Sequence, residues 1–392
     1  MDKTGKETES AKRVQIGAPE QQTLTLQQAL DLAVQHHTAD DLSKAEGIYQ
    51  QILQTDPNHS DALHLLGVIS HQVGENDRAV DLITKAINIK PDYPEAHSNL
   101  GAALKELGRL DAAVTSYNKA IDIKPDYAEA HNNLGLALQK LRKLEEAIAS
   151  HHKALAIKPN YAKAHNDLGN ALKNLGRLDE AMENYHKALS VGPYYAEAHC
   201  SLGLAFQELG QFDEAVSKYH EAIAIKPGLA VAHSSLGNTF GKLGRPDEAV
   251  ESYQKALTIK PDDAEVHCNL GLAFQELGKL EEAVACYQKA IAVKSDYAGA
   301  HYNLGNALLK LGQLDDALVP YRKALTIEPN YAEAHNNLGT TLQERGKLDE
   351  AVACYQKAIA IKPDFAMAHN NLGTALTELG KPDEALVHYH KA

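Results

Sequence analysis

Nine histidines stand 34 residues apart, at His97, His131, His165, His199, His233, His267, His301, His335 and His369. Imidazole ligates metals and moves protons, so a row whose members met would be a metal comb or a proton relay. Equivalent points on successive helical repeats lie on the order of 10 Å apart, whereas zinc needs its ligands about 2 Å from one ion. The row therefore reads as packing, and no metal site and no cofactor is expected. The neighbouring pairs His36-His37 and His151-His152 would point in different directions on a helix and make weak ligands. Acidic pairs such as Glu145-Glu146 and Asp247-Glu248 fall where a helix should begin, and carboxylates there complement the helix dipole rather than perform acid–base chemistry. No glycine-rich phosphate loop follows a strand. Catalytic residues are expected to be absent from this chain.

A second row has a different chemistry. Asn99, Asn133, Asn269, Asn303, Asn337 and Asn371 each follow one of those histidines by two residues, and Asp167 holds the same slot in a seventh copy. A carboxamide both donates and accepts, so it matches the peptide group of any sequence. At roughly 10 Å spacing, one Asn would meet about every third residue of an extended chain rising about 3.3 Å per residue. A solvated groove wall would also tolerate these residues. Asp167 only accepts and would prefer a Lys or Arg side chain of a ligand. Leu65, Ser201 and Ser235 interrupt the row. Asn170, Asn238 and Asn306, three residues further on, would widen the polar lining or simply be solvated.

Both rows are carried by one repeat. Pro57, Pro91, Pro125, Pro159, Pro193, Pro227, Pro261, Pro329 and Pro363 keep the same 34-residue period, with Ser295 in the remaining slot. With that Pro as position 32, ten full copies run over residues 26–365 and an eleventh over 366–392. Within residues 94–127, Ala96, Leu100, Gly101 and Leu104, then Ala113, Tyr117, Ala120 and Ile121, keep helical spacing on either side of Gly108-Arg109-Leu110-Asp111. Each copy thus reads as helix A, tight turn, helix B. Position 8 is Gly in ten copies, although Gly inside a helix costs about 1 kcal/mol relative to Ala, so close helix packing is implied. Position 20 is always Ala and position 24 usually Tyr; where His151 takes position 24, a weaker contact is expected. Asp126 with Glu129, and Asn330 with Glu333, read as helix caps.

Leu-Gly at positions 7 and 8, Ala at 20, Tyr at 24, Ala at 27 and Pro at 32 resemble the tetratricopeptide repeat. That resemblance covers residues 26–392 and implies an all-α, right-handed superhelical solenoid in which helix A lines the concave face. His replaces the usual aromatic at position 4. His-Asn-Asn-Leu-Gly, at His131–Gly135 and His335–Gly339, is similar to repeats of the recognition domain of O-linked N-acetylglucosamine transferase and of bacterial and algal relatives. In that group the position-6 Asn ladder holds the backbone of an extended peptide, and the resemblance implies Asn99, Asn133, Asp167, Asn269, Asn303, Asn337 and Asn371 as the candidate peptide contacts here. Another tetratricopeptide mode clamps a C-terminal carboxylate through Lys at position 5, which this chain never has. Position 2 is most often Glu, and Lys163 alone makes no clamp.

The formal net charge of −13 opposes nucleic acid and anionic lipid. Cys200, Cys268, Cys286 and Cys354 form no Cys-x-x-Cys pair and fit a reducing compartment. No membrane-inserting stretch or leader is evident, which points to a cytoplasmic protein. Residues 1–25 read as a disordered polar tail and 26–59 as an atypical N-terminal capping repeat, with a capping box at Thr25–Gln28. Nine repeats follow over 60–365, then the incomplete copy at 366–392. Ending inside helix B would leave an apolar end for a partner or a second copy to cover. The expected role is a noncatalytic scaffold for proteins and extended peptides; the alternative is the substrate-selecting part of a longer O-linked N-acetylglucosamine transferase.

Overall fold

A computed structural model describes residues 12–16 and 22–392. The chain forms two compact halves, divided between Tyr195 and Ala196. In the first half, helix A is α1 (Leu26–Thr38), α3 (Ser60–Gln72), α5 (Pro94–Glu106), α7 (Ala128–Lys140) and α9 (Ala162–Asn174). Helix B is α2 (Leu42–Thr55), α4 (Asn76–Ile89), α6 (Leu110–Ile123), α8 (Leu144–Ile157) and α10 (Leu178–Val191). In the second half, helix A is α11 (Ala196–Glu208), α13 (Ala230–Lys242), α15 (Ala264–Glu276), α17 (Ala298–Lys310), α19 (Ala332–Glu344) and α21 (Ala366–Glu378). Its B helices are α12 (Phe212–Ile225), α14 (Pro246–Ile259), α16 (Leu280–Val293), α18 (Leu314–Ile327), α20 (Leu348–Ile361) and α22 (Pro382–Tyr389). The fold is an all-α solenoid of helix-turn-helix repeats. Within each half, helix A packs on its own helix B and touches the next helix A, as α5 touches α7 and α13 touches α15.

The Gly at position 8 is where the two helices of a repeat meet. A methyl built on Gly271 would lie 2.6 Å from Cε1 of Tyr287, and one on Gly305 equally close to Tyr321. The ring therefore occupies the space a side chain would need. Position-24 rings at Tyr117, Tyr185, Tyr219, Tyr287, Tyr321 and Tyr355 are fully buried, as are the alanines at position 20. His151 does not loosen this contact as expected: it is fully buried, and a methyl on Gly135 would meet its ring at 2.5 Å.

Helix boundaries have local causes. Position 15, after helix A, is left-handed in every repeat: nine glycines occupy it with positive φ, while Asp40 and Arg142 take φ of 61° and 63°. Helix B ends at a residue outside helical space, as at Lys124 with φ −132° and ψ 87°, which a following Pro favours; Lys294, before Ser295, takes the same conformation without one. The capping box at Thr25 and Gln28 forms in full. The other expected caps do not: α7 and α19 start after Tyr127 and Tyr331, which make no side-chain cap, so Asp126 and Asn330 lie one residue too early.

The expected disordered tail is corrected in part. Arg13–Ile16 (β1) pairs antiparallel with Gln22–Thr25 (β2), Val14 opposite Leu24. Val14 is buried against the first repeat beside Leu26, Leu30 and Ile48, and its apolar burial is what holds the strand pair there. The remainder of the tail reading lies outside the described residues. No helix among the described residues is long and apolar enough to cross a membrane.

Two substitutions test these constraints. Gly271→Ala should cost roughly 1–3 kcal/mol, because overpacking against Tyr287 outweighs the gain of about 1 kcal/mol in helix propensity. Arg142→Gly should stabilise by about 1 kcal/mol by relieving the left-handed backbone. Urea unfolding of each variant against the parent chain measures both signs.

Candidate peptide-binding face on the A helices

The histidine row has a hydrogen-bonding task. Nε2 of His97, His131, His165, His233, His267, His301, His335 and His369 lies 2.8–3.1 Å from the carbonyl oxygen six residues earlier. That carbonyl belongs to the position-32 Pro, or to Ser295. The ring thereby ties the first turn of helix A to the loop leading into it. This supplies the fixation that the missing side-chain caps do not.

The position-6 row lies along successive A helices, half-buried except for Asp167, which is buried. Its amide groups are partly engaged by the preceding repeat. Asn99 Nδ2 donates to His64 Nε2 at 2.9 Å, Asn269 Nδ2 to Asn238 Oδ1 at 3.0 Å and Asn371 Nδ2 to Asn336 Oδ1 at 3.1 Å. Asn303 Nδ2 donates to Cys268 Sγ at 3.6 Å. Each of these four carboxamides keeps one N–H and its carbonyl. Asn337 differs, because it donates to Tyr302 Oη and Asn306 Oδ1 and accepts from Asn336 Nδ2. Asn133 makes no hydrogen bond to another side chain among the described residues. Ser235, where the row is interrupted, lines a cavity of about 360 Å³ between α13 and α15 with Ser234, Asn238 and Asn269. Across the Asn238–Asn269 bond, a second cavity of about 460 Å³ is floored by Tyr253, Ala273 and Gly241.

Asn170, Asn238 and Asn306 do more than line a surface. Their Oδ1 atoms accept the buried phenol O–H of Tyr185, Tyr253 and Tyr321 at 2.7–2.9 Å. Where position 9 is Leu or Thr, a Gln at position 12 takes over, as Gln207 does for Tyr219, Gln275 for Tyr287 and Gln343 for Tyr355. The two solutions alternate from α9 to α19. Comparing positions 9 and 12 across the repeats carries that signal. Asn238 and Asn306 also accept from the position-6 Asn of the next repeat, so the buried Tyr and the A-helix face share one network.

Asp167 sits at the end of another network. Asn132 Nδ2 donates to its Oδ2 at 2.8 Å, His151 Nδ1 donates to Asn132 Oδ1 at 2.8 Å, and Gln139 Nε2 donates to His151 Nε2 at 2.9 Å. Burial raises the Asp167 carboxyl above its ordinary range, against the opposing pull of the Asn132 bond and Lys163. Burial lowers His151 to about 4, and His64 to about 4 as well. Protonation would set a new N–H of His151 against the Gln139 amide, and one of His64 against the Asn99 amide.

Both histidines are thus neutral in the fold and titrate near 6.5 when unfolded. Their folded pKa is depressed, so the unfolded chain takes up more protons and stability falls as pH drops from about 6.5 towards 4. Unfolding at pH 5 against pH 7 should show a loss on the order of 1–2 kcal/mol for each histidine. His151→Tyr, with Gln139 left to accept the phenol, should remove its share; an unchanged pH slope would exclude His151 as its source.

Family models match this architecture. The family described as "TPR repeat" matches residues 67–108, 103–141, 169–210, 208–244, 242–278, 273–312, 305–345 and 342–380. "Tetratricopeptide repeat" matches 128–161 and 153–183. Among solved structures, MamA is 29% identical over 40% of this chain and 91% of its own, with a TM-score of 0.38. YrrB, described as a TPR protein with an unusual peptide-binding site, is 24% identical over 48% of this chain and 96% of its own, with a TM-score of 0.43. The APC/C hetero-tetramer Cut9–Hcn1 is 14% identical over 94% and 93%, with a TM-score of 0.48. No curated protein matches the chain significantly. With the repeat family matched over most of its length and the same two-helix unit from α1 to α22, this chain belongs to the tetratricopeptide repeat family.

Proposed function

We propose that this chain is a noncatalytic scaffold that holds extended peptide segments of other proteins against the face formed by its A helices. The observation that carries this reading is the unspent hydrogen-bonding capacity of Asn99, Asn269, Asn303 and Asn371. Each is held in place by the preceding repeat, yet keeps a carbonyl and an N–H for a peptide group. Asn133 would join them with its whole carboxamide. Backbone contacts of this kind are indifferent to ligand sequence. Selectivity would come from the cavities beside Ser235 and Gly241, each with room for a ligand side chain, and from Asp167, whose carboxylate would favour a Lys or Arg. Asn337 is a strut of the face rather than a contact.

The position-6 Asn row also supports a second reading, in which the array selects substrates for a glycosyltransferase domain of a longer protein. An antibody against the array would separate the two readings by the mass of the endogenous product. A mass near 42.6 kDa favours the free scaffold, and a substantially larger one the enzyme part.

Peptide contact is tested with peptides selected on the full chain from a displayed random library. Replacing Asn269, Asn303 and Asn371 together by Ala should weaken them at least about tenfold, at about 1 kcal/mol for each lost hydrogen bond. Asn337→Ala should leave affinity unchanged while lowering stability. Unchanged affinity in the triple variant, or an equal loss from Asn337→Ala alone, would remove the Asn row from the account.

A further inference from the structure

His267 and His335 each keep a buried Nδ1 that no hydrogen-bond partner reaches. Both residues are about nine-tenths buried, at 9% and 8% exposure. Their Nε2–H groups are committed to the carbonyls of Pro261 and Pro329 at 2.8 and 3.0 Å. In the neutral ring, Nδ1 must therefore carry the lone pair. In two other repeats this nitrogen is served by position 23 of helix B, and at His199 it meets Glu221, three residues further along that helix. Asn184 Oδ1 lies 3.3 Å from His165 Nδ1, and His388 Nδ1 lies 3.0 Å from His369 Nδ1. Repeat geometry thus puts the side chain of position 23 beside Nδ1. In the repeats of His267 and His335, that residue is a cysteine.

Those cysteines are Cys286 on α16 and Cys354 on α20, and both are free thiols. Cys286 and His267 line one cavity of about 740 Å³. Cys354 and His335 line its counterpart, two repeats further on, of about 510 Å³. Leu257 and Leu325, Leu270 and Leu338, and Ala292 and Ala360 occupy equivalent places in the two walls.

We propose that each of these grooves binds one soft monovalent cation, copper(I), between the histidine Nδ1 and the cysteine sulfur. Thiolate selects copper(I) over harder ions, and one sulfur with one imidazole nitrogen completes the linear two-coordinate arrangement this closed-shell ion accepts. The Nε2–H bond to a backbone carbonyl is the outer contact that fixes ring orientation and tautomer in metal-binding histidines. Binding forms a copper–sulfur and a copper–nitrogen bond and breaks the S–H bond, whose proton leaves to solvent; no electron is transferred. The resulting copper–thiolate unit is neutral, so the nearby Lys289 and Lys357 do not oppose it. This site lies away from the position-6 row and does not rest on the peptide reading.

The test is an anaerobic titration of the reduced full chain against a chromophoric copper(I) chelator, joined to X-ray absorption at the copper edge. The chain should take about two copper ions, Cys286→Ser or Cys354→Ser about one, and the double variant none. Serine is native at position 23 in Ser116, Ser150 and Ser252, so these variants keep the fold, which circular dichroism checks. One sulfur and one nitrogen neighbour per copper is the expected absorption result. Failure of the parent chain to compete with the chelator would overturn the assignment. So would a double variant that keeps its copper through Cys200 and Cys268, or copper with sulfur neighbours alone.

Discussion

The contact between a glycine of helix A and the ring of helix B is the constraint on which the other features depend. Because position 8 has no side chain, the Tyr at position 24 can lie flat against the backbone of helix A, and alanines at positions 20 and 27 let the axes close around it. The ring brings a polar atom with it. A buried phenol needs an acceptor, and from Tyr185 to Tyr355 the array supplies one from helix A itself, either Asn at position 9 or Gln at position 12, whereas the hydroxyls of Tyr49 and Tyr117 reach none. That acceptor lies on the A-helix face, so satisfying the core also furnishes the face with carboxamides. Where His151 replaces Tyr, the same logic holds with different atoms: Gln139 and Asn132 turn to serve the imidazole, and Asp167 is drawn into the network.

The histidine row is a second consequence of dense packing. A ring at position 4 that reaches back to the position-32 carbonyl ties the loop to the helix it precedes, in a protein whose helices mostly begin without a side-chain cap. Its other nitrogen faces helix B, where in several repeats the residue at position 23 sets its surroundings. Asparagine, histidine and cysteine there make three different environments from one backbone geometry. A repeat array can thus vary local chemistry by single substitutions without altering the frame, since every copy meets its neighbours in the same way.

Much of this was legible in the residues. The proline period and the helical spacing of small and apolar positions gave the repeat, its two helices and the family, because those patterns report packing that recurs in each copy. Helix ends were harder. Asp126 and Asn330 have the right types and spacing for caps, yet the turn after Pro places them one residue outside the helix, and composition does not reveal such a shift. Val14 and Leu24 are too few apolar residues to announce a strand pair, which exists only because the first repeat offers a surface to bury them.

The sequence by itself determined which side chains recur and therefore that the chain is a tetratricopeptide solenoid presenting a row of carboxamides. Only the tertiary structure decided how those carboxamides are spent. Asn337 and Asn371 are the same residue at the same position, but the neighbours across the repeat boundary saturate one and leave the other half free. Hydrogen-bond capacity belongs to the pair of groups that meet, and partners 31 or 35 residues apart meet only once the repeats have stacked.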